Sequence, residues 1–157
     1  MRTQLTATVL ILAAISGPVH AGALSPGKIL GGKPAASTSG TRQYYDGRGS
    51  FAGRSSSSRG NTQLYDAHGR VSGRVDSSYN STRNYDGQGR YAGRTTTMGD
   101  TTSFYNAQGG YSGRSTTSGN DTRYYNAQGA YVGRAQSSNG TTHYYDGAGR
   151  SAGRRTK

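Results

Sequence analysis

A ten-residue motif recurs six times in this sequence, and each copy begins twenty residues after the one before it. Each copy starts with a tyrosine followed by aspartate or asparagine, passes through a glycine-containing turn and ends in Gly-Arg; residues 85–94, YDGQGRYAGR, are one copy. A fixed period of this length is typical of repeat architectures, in which each copy forms one supersecondary unit and packs on its neighbours. The repeat therefore constrains the fold class more than any single residue does.

The composition excludes a thick aliphatic core. Only 30% of the 157 residues are hydrophobic, whereas Gly numbers 26 and Tyr 13. After residue 21 the chain contains only seven Ile, Leu and Val residues. It has no cysteine, so disulfides cannot compensate. We therefore expect packing to come from tyrosine, threonine and backbone pairing between strands.

The first 21 residues have the layout of a secretory signal peptide. Arg2 supplies a positive start, residues 6–16 are apolar, and Val19 and Ala21 are small residues placed before a cleavage site. The apolar run is too short for a membrane anchor. We expect cleavage after Ala21 and a secreted, periplasmic or cell-surface location. Residues 22–40, rich in Gly, Pro, Ala and Ser, are expected to form a flexible arm.

The net charge of +12 comes from 16 Arg and 3 Lys against 7 Asp. This surplus favours anionic partners, namely acidic polysaccharide, lipopolysaccharide or another polyanion. A second interpretation is that a sheet without a large core uses charge to stay soluble and to prevent association between edges. The sequence leaves both open.

Each repeat is predicted to form two strands and two turns, which makes the chain all-β. In the fifth repeat, residues 122–125 and 130–134 have strand composition, and residues 126–129 form a turn between them. Asn139-Gly140 suits a type I′ hairpin turn, and the equivalent Gly99-Asp100 and Gly119-Asn120 suit type II′. The predicted repeats are 41–60, 61–80, 81–100, 101–120, 121–140 and 141–157.

The odd number of strand residues in each repeat predicts a β-bulge. A three-residue first loop and a two-residue second loop leave an odd number of residues for two antiparallel strands, so one residue must be extra. The glycine before each motif-ending arginine, such as Gly93, is the candidate. This bulge would place Tyr85 between Tyr91 of its own hairpin and Arg74 of the preceding repeat.

Two stackings of the repeats are compatible with these elements. A solenoid with one coil per repeat would place equivalent arginines about 4.8 Å apart, where like charges repel. A twisted antiparallel meander separates them by two strands, near ~10 Å, where salt screens most of the repulsion. We favour the meander, as a twisted or curled strip of hairpins, and keep the solenoid as the alternative.

The run Tyr-Asp-x-x-Gly-Arg, present at residues 65–70, 85–90 and 145–150, resembles the YD repeats of RHS-type bacterial proteins. The resemblance covers residues 41–157 and implies β-hairpins strung into a spiralling strip, which in the large members of that family encloses a toxin or binds carbohydrate. Six repeats are too few to enclose a cargo. Asn106 and Asn126 replace the aspartate, and the leucine usual after Gly-Arg is absent.

The sequence contains no recognisable catalytic site, and we expect no enzyme activity, cofactor or metal. Catalysis needs unlike groups that converge on one point, whereas this repeat spreads like groups along the chain. Its aspartates are expected to initiate turns, and His68 and His143 occupy unrelated repeat positions.

Binding by the motif tyrosines and the motif-ending arginines is the leading functional hypothesis. Tyrosine rings stack on sugars or bases, and arginines pair with phosphate or carboxylate. Three functions stay open: a binding or adhesive strip for anionic polymers at the cell envelope, a self-associating curli-like fibre subunit, and a hydrolase of envelope polysaccharide. The tyrosines could equally be the sheet's packing material. The candidate residues are Tyr45, Tyr65, Tyr85, Tyr105, Tyr125, Tyr145, Arg54, Arg74, Arg94, Arg114, Arg134 and Arg154.

Overall fold

Residues 39–157, which the computed structural model describes, form twelve β-strands. The predicted signal peptide and most of the predicted arm lie outside these residues. No membrane-spanning helix occurs within them. The strands are β1 (Gly40–Asp46), β2 (Phe51–Ser58), β3 (Asn61–Asp66), β4 (Val71–Ser78), β5 (Ser81–Asp86), β6 (Tyr91–Met98), β7 (Thr101–Asn106), β8 (Tyr111–Ser118), β9 (Asp121–Asn126), β10 (Tyr131–Ser138), β11 (Thr141–Asp146) and β12 (Ser151–Thr156).

The strands form one antiparallel meander that closes on itself. Each strand pairs with the next along the chain, and β12 pairs with β1 to complete a closed barrel. The all-β class and the hairpin meander are thus confirmed. The open or curled strip is wrong, because the sheet has no free edge among the described strands, and the solenoid is wrong, because successive strands are antiparallel.

The closing pair of strands repeats the geometry of the internal junctions, which is the physical reason for closure. Tyr45 lies opposite Arg154 at the junction of β1 and β12, as Tyr65 lies opposite Arg54 at the junction of β2 and β3. A barrel closes only when strand number and stagger agree, and six hairpins with the same bulged pairing meet this condition here. Closure also removes the unpaired backbone groups that an open strip would leave at its two edges.

The motif turns have the predicted three-residue loop. Asp46 N–H donates to the Ser50 carbonyl at 2.9 Å, and Gly49, with φ of 85°, occupies the left-handed conformation inside the loop. The Asp46 Oδ1 atom accepts hydrogen bonds from the backbone N–H groups of Arg48 and Ser50, both at 2.9 Å. Asparagine makes the same two bonds in the fourth and fifth repeats, which explains why it replaces aspartate there.

The second turns contain two residues and form the other end of the barrel. Asn139 and Gly140 both have positive φ, 47° and 80°, as a type I′ turn requires. Gly99 and Gly119 have φ of 57° and 58°, and the residue after each does not have positive φ, as in a type II′ turn. Tyr79 occupies the same position with φ of 35°, a conformation that a bulky side chain rarely adopts.

The predicted bulge is present in all six motif hairpins, but the extra residue is the one before the glycine and not the glycine itself. In the third repeat the pairing passes from Asn84–Gly93 to Tyr85–Tyr91 and leaves Ala92 without a partner. Gly93 has φ of 136°, and a Cβ atom there would collide with the carbonyl oxygen of Tyr105 on the neighbouring strand. The glycine thus serves both the bulge and the close approach of the next hairpin.

The interior of the barrel is filled by the residue before each motif tyrosine and by small hydroxyl side chains. Tyr44, Leu64, Phe104, Tyr124 and Tyr144 are buried. Thr82 and Thr95 are also buried and hydrogen-bond each other at 2.7 Å. The expectation of a core built from tyrosine and threonine is therefore correct, but the core tyrosines are not the motif tyrosines.

Candidate functional site

The motif tyrosines and the motif-ending arginines form a continuous belt around the outer face of the barrel. Each motif tyrosine directly follows a residue whose side chain faces the barrel interior, and side chains alternate between the two faces along a strand, so the tyrosine ring points outward. All six motif tyrosines are half-buried, and the arginines are exposed except for Arg154, which is half-buried. We call these twelve residues the tyrosine–arginine belt; they are the candidate residues named above.

Every tyrosine of the belt carries an arginine of the neighbouring repeat over its ring. The distances from guanidinium carbon to ring centroid run from 4.4 Å for Arg154 over Tyr45 to 5.3 Å for Arg114 over Tyr125. The predicted contact of Arg74 with Tyr85 is present at 4.5 Å. Such contacts are worth about 0.5–1 kcal/mol each at exposed sites. The six contacts join every repeat to the next, including the last to the first.

An aromatic ring from the same hairpin meets four of the belt tyrosines on the other side. Tyr85 and Tyr91 contact edge to face with centroids 6.0 Å apart, as predicted from the bulge. Equivalent pairs join Tyr45 to Phe51, Tyr105 to Tyr111 and Tyr125 to Tyr131. These outer aromatics remain 40–45% exposed, so the belt presents aromatic surface as well as positive charge.

The charge of the belt is largely unneutralised within the described residues. Arg74 pairs with Asp76 at 3.0 Å, but the other five belt arginines have no carboxylate within salt-bridge distance in residues 39–157. Equivalent arginines are two strands apart, about 10 Å, where ionic screening weakens their repulsion. The belt is therefore a ring of separated cations, each held in place by an aromatic face.

The repeated aspartates form no shared site with the belt, because the turns engage them. Asp86 accepts two backbone N–H groups and an ion pair from Arg90 Nε at 2.8 Å. The hydrogen bond from the Arg90 guanidinium is the main reason that the pKa of Asp86 lies below its usual range. For Asp66 the Arg70 backbone N–H is the main cause of a lowered pKa. This agrees with turn initiation as the role of these carboxylates.

The interior contains a second set of tyrosines that the sequence reasoning did not separate from the belt. Burial raises the pKa of Tyr144 to about 12, and it also raises the pKa of Tyr44 and Tyr124. The Tyr44 hydroxyl lies 3.0 Å from Ser55 Oγ, and Arg155 Nη2 donates to Thr142 Oγ1 at 2.9 Å. These tyrosines stay protonated at neutral pH. Strand alternation from the motif tyrosine is the signal that would have identified them.

The sequence reasoning also missed the residue two positions before each motif tyrosine. This position lies on the outer face, directly opposite the belt arginine of its own hairpin. Because it differs among the repeats, a search for strictly repeated residues passes over it. The residues are Gln43, Gln63, Arg83, Ser103, Arg123 and His143.

No protein-family model matches this chain, and no curated protein matches it. The resemblance to YD repeats therefore stays a prediction. The class that the fold and the belt define is that of a closed, repeat-built antiparallel barrel with a basic, aromatic outer surface.

Proposed function

We propose that this chain is an exported, non-catalytic β-repeat protein that binds anionic or carbohydrate polymers at the cell envelope. Acidic polysaccharide, lipopolysaccharide or another polyanion would be its partner. The tyrosine–arginine belt is the single observation that carries the proposal, because it repeats one cation and one aromatic ring around the whole circumference.

The chemistry of the belt suits a polymer better than a compact ligand. Arginine donates to sulfate, carboxylate or phosphate with two parallel N–H groups, and a tyrosine face stacks on a sugar ring. Because equivalent groups recur about 10 Å apart, a linear polyanion can reach several of them at once. Linked contacts of this kind raise the apparent affinity well above that of any single contact.

The fibre alternative has less support. A curli-like subunit grows by adding strands to an exposed edge, but β1 and β12, the two strands that would form the edges, pair with each other. Growth of a fibre would first require the four residue pairs between β1 and β12 to separate. The hydrolase alternative has no supporting observation, because the repeated carboxylates accept hydrogen bonds from their own turns.

The proposal is tested by retention of the mature chain, beginning at Gly22, on sulfated-polysaccharide and lipopolysaccharide matrices at low salt. We expect strong retention and elution with salt, because exposed charges are screened above about 0.1 M. A folded chain that binds neither of the two matrices at low salt would refute the proposal.

A matched pair of variants separates the belt from net charge alone. Arg94→Gln with Arg114→Gln removes two charges from the belt, and Arg48→Gln with Arg59→Gln removes two exposed charges outside it. The belt variant should elute at clearly lower salt than the control variant. Equal elution would mean that binding depends on overall charge and not on the belt.

A further inference from the structure

Two repeats place a second arginine directly beside a belt arginine. Arg83 lies opposite Arg94 on β5 and β6, and Arg123 lies opposite Arg134 on β9 and β10. Like charges at directly opposed positions of an antiparallel pair destabilise a sheet. The other hairpins have Gln, Ser or His at this position, so the fold itself does not require the second arginine.

The two arginine pairs differ in their neighbouring charges. Asp76 on the preceding strand β4 lies directly opposite Arg83, and its negative charge lowers the positive charge around the first pair. The corresponding neighbour of Arg123 is Thr116, which has no charge. Asp121 lies on the same outer face two residues before Arg123, but no carboxylate in residues 39–157 forms an ion pair with Arg123 or Arg134.

An open cleft of about 500 Å³ lies beside the second pair. Its lining consists of two cations, two aromatic rings and backbone of the sixth motif turn, and it includes no carboxylate. The lining residues are Arg123, Tyr125, Tyr131, Arg134, Gly147 and Gly149.

The aromatic wall of this cleft is partly exposed, and its tyrosine is covered less closely by arginine than the other belt tyrosines are. Arg114 lies 5.3 Å from the Tyr125 ring centroid, whereas the other five belt arginines lie 4.4–4.9 Å from theirs. Tyr131, which meets Tyr125 edge to face at 6.1 Å, is 44% exposed. A Cβ atom at Gly149 would meet no atom within 4 Å, so the turn leaves this side of the cleft open.

We propose that this cleft is a discrete binding site for one acidic sugar unit that carries a carboxylate or sulfate group. The acidic group would accept hydrogen bonds from the Arg123 and Arg134 guanidinium groups, and it would offset their mutual repulsion. The sugar ring would stack on the tyrosines, which offer an apolar face beside the charge. This inference rests on the proposed function, since it assigns one position on the outer surface where binding of the polymer is strongest.

The test is isothermal titration of the mature chain with two small probes, a sulfated disaccharide and a uronic-acid disaccharide. The tighter-binding probe identifies the acidic group that the cleft prefers. The decisive variant is Arg123→Ser, which installs the residue that the fourth repeat has at Ser103. Its control is Arg48→Ser, which removes the same charge from an exposed turn position. Thermal melts confirm that both variants are folded.

We expect Arg123→Ser to weaken disaccharide binding about tenfold or more, because hydrogen bonds to charged groups are lost, and Arg48→Ser to leave binding nearly unchanged. Equal weakening by the two variants would refute the cleft as a binding site. The proposed binding of polymers by the belt would still stand, provided that the wild-type chain binds polymer matrices. Polymer retention without disaccharide binding would refute the cleft as well. A wild-type chain that binds neither polymer nor disaccharide would refute the proposed function itself.

Discussion

The guanidinium carbon of Arg154 lies 4.4 Å from the ring centroid of Tyr45, and this contact joins the last repeat to the first. Tyr45 and Arg154 are also directly paired across β1 and β12. The same pairing and contact connect Tyr65 to Arg54 within the chain. The closing junction of the barrel is thus chemically equivalent to the junctions between consecutive repeats, although it joins the two ends of the described chain.

Removal of β12 by deletion of residues 151–157 should convert the protein to a self-associating form. Without β12, the edges of β1 and β11 lose their partners, and unpaired edges are sites of strand addition. Sedimentation velocity at several concentrations would show mass increasing with concentration.

Deletion of Lys157 alone is the matched control, because this residue lies outside β12 and both pairings remain. The control should sediment as the full chain does. A folded, monomeric product of the larger deletion would contradict the idea that closure protects these edges.

Gly93→Ala should destabilise the protein far more than Gly89→Ala. Both glycines have positive φ, which costs a residue with a side chain about 1–2 kcal/mol. At Gly89 the new methyl group meets nothing within 4 Å, whereas at Gly93 it collides with the Tyr105 carbonyl oxygen. The collision adds roughly 1–3 kcal/mol, so the total loss at Gly93 should be about 3 kcal/mol. Urea denaturation measures the loss of unfolding free energy in both variants. Equal losses would show that the positive φ accounts for the cost and that the collision adds nothing.

Tyr79→Gly should stabilise the protein by about 0.5–1 kcal/mol. Tyr79 has φ of 35°, so its side chain imposes strain, and it is 95% exposed, so little packing is lost. The gain stays below the full strain because glycine has more conformational freedom to lose on folding. Gly99→Tyr, at the same place in the next repeat, is the reverse change and should destabilise. Thermal melts of the two variants should move in opposite directions, and a shift of both in one direction would be inconsistent with strain at this turn.

Replacement of the turn aspartates by asparagine should reduce the loss of stability in acid. The pKa values of Asp66 and Asp86 are lowered in the folded state, chiefly by hydrogen bonds from Arg70 and Arg90. A carboxyl group whose pKa is lower in the folded state than in the unfolded state stabilises the fold. This stabilisation is complete above the ordinary pKa of about 4, and it is lost as the pH falls through the pKa of the folded state. The free energy of unfolding of Asp66→Asn with Asp86→Asn should therefore change less below pH 4 than that of the wild type.

The asparagine variants should remain folded at neutral pH. Asn106 accepts the same two backbone hydrogen bonds, at 3.0 and 2.8 Å, that the aspartates accept. Urea denaturation at pH 7 and at pH 3 separates the two effects. If the variant loses as much unfolding free energy between pH 7 and pH 3 as the wild type does, other groups govern unfolding in acid.

The local features of this fold were predictable because they depend on spacing within one repeat. Loop length and the odd residue count predicted one bulge in each hairpin, one residue away from its position at Ala92, and the bulge placed Tyr85 beside Tyr91 and Arg74. Each of these contacts joins residues of one hairpin or of adjacent hairpins. Their geometry therefore follows from local turns and strand alternation.

Closure and the second arginine pair could not be predicted in the same way. Pairing of β1 with β12 depends on twist and stagger accumulated over six hairpins, and a small change in either would leave the sheet open. The Arg123–Arg134 pair depends on a position that does not repeat, so periodicity gives no signal for it. Both features are defined by which residues of neighbouring strands lie opposite each other.

Closure changes how a repeat protein of this kind can vary in length. An open array accepts one more copy at either end, because each copy contacts only its neighbours. In this ring every hairpin has two neighbours, so an added copy must enter between existing ones and alter the curvature at every junction. Gene duplication of a single repeat would thus produce either a wider barrel with a new interior or an unclosed chain, and the number of copies becomes a property of the whole molecule.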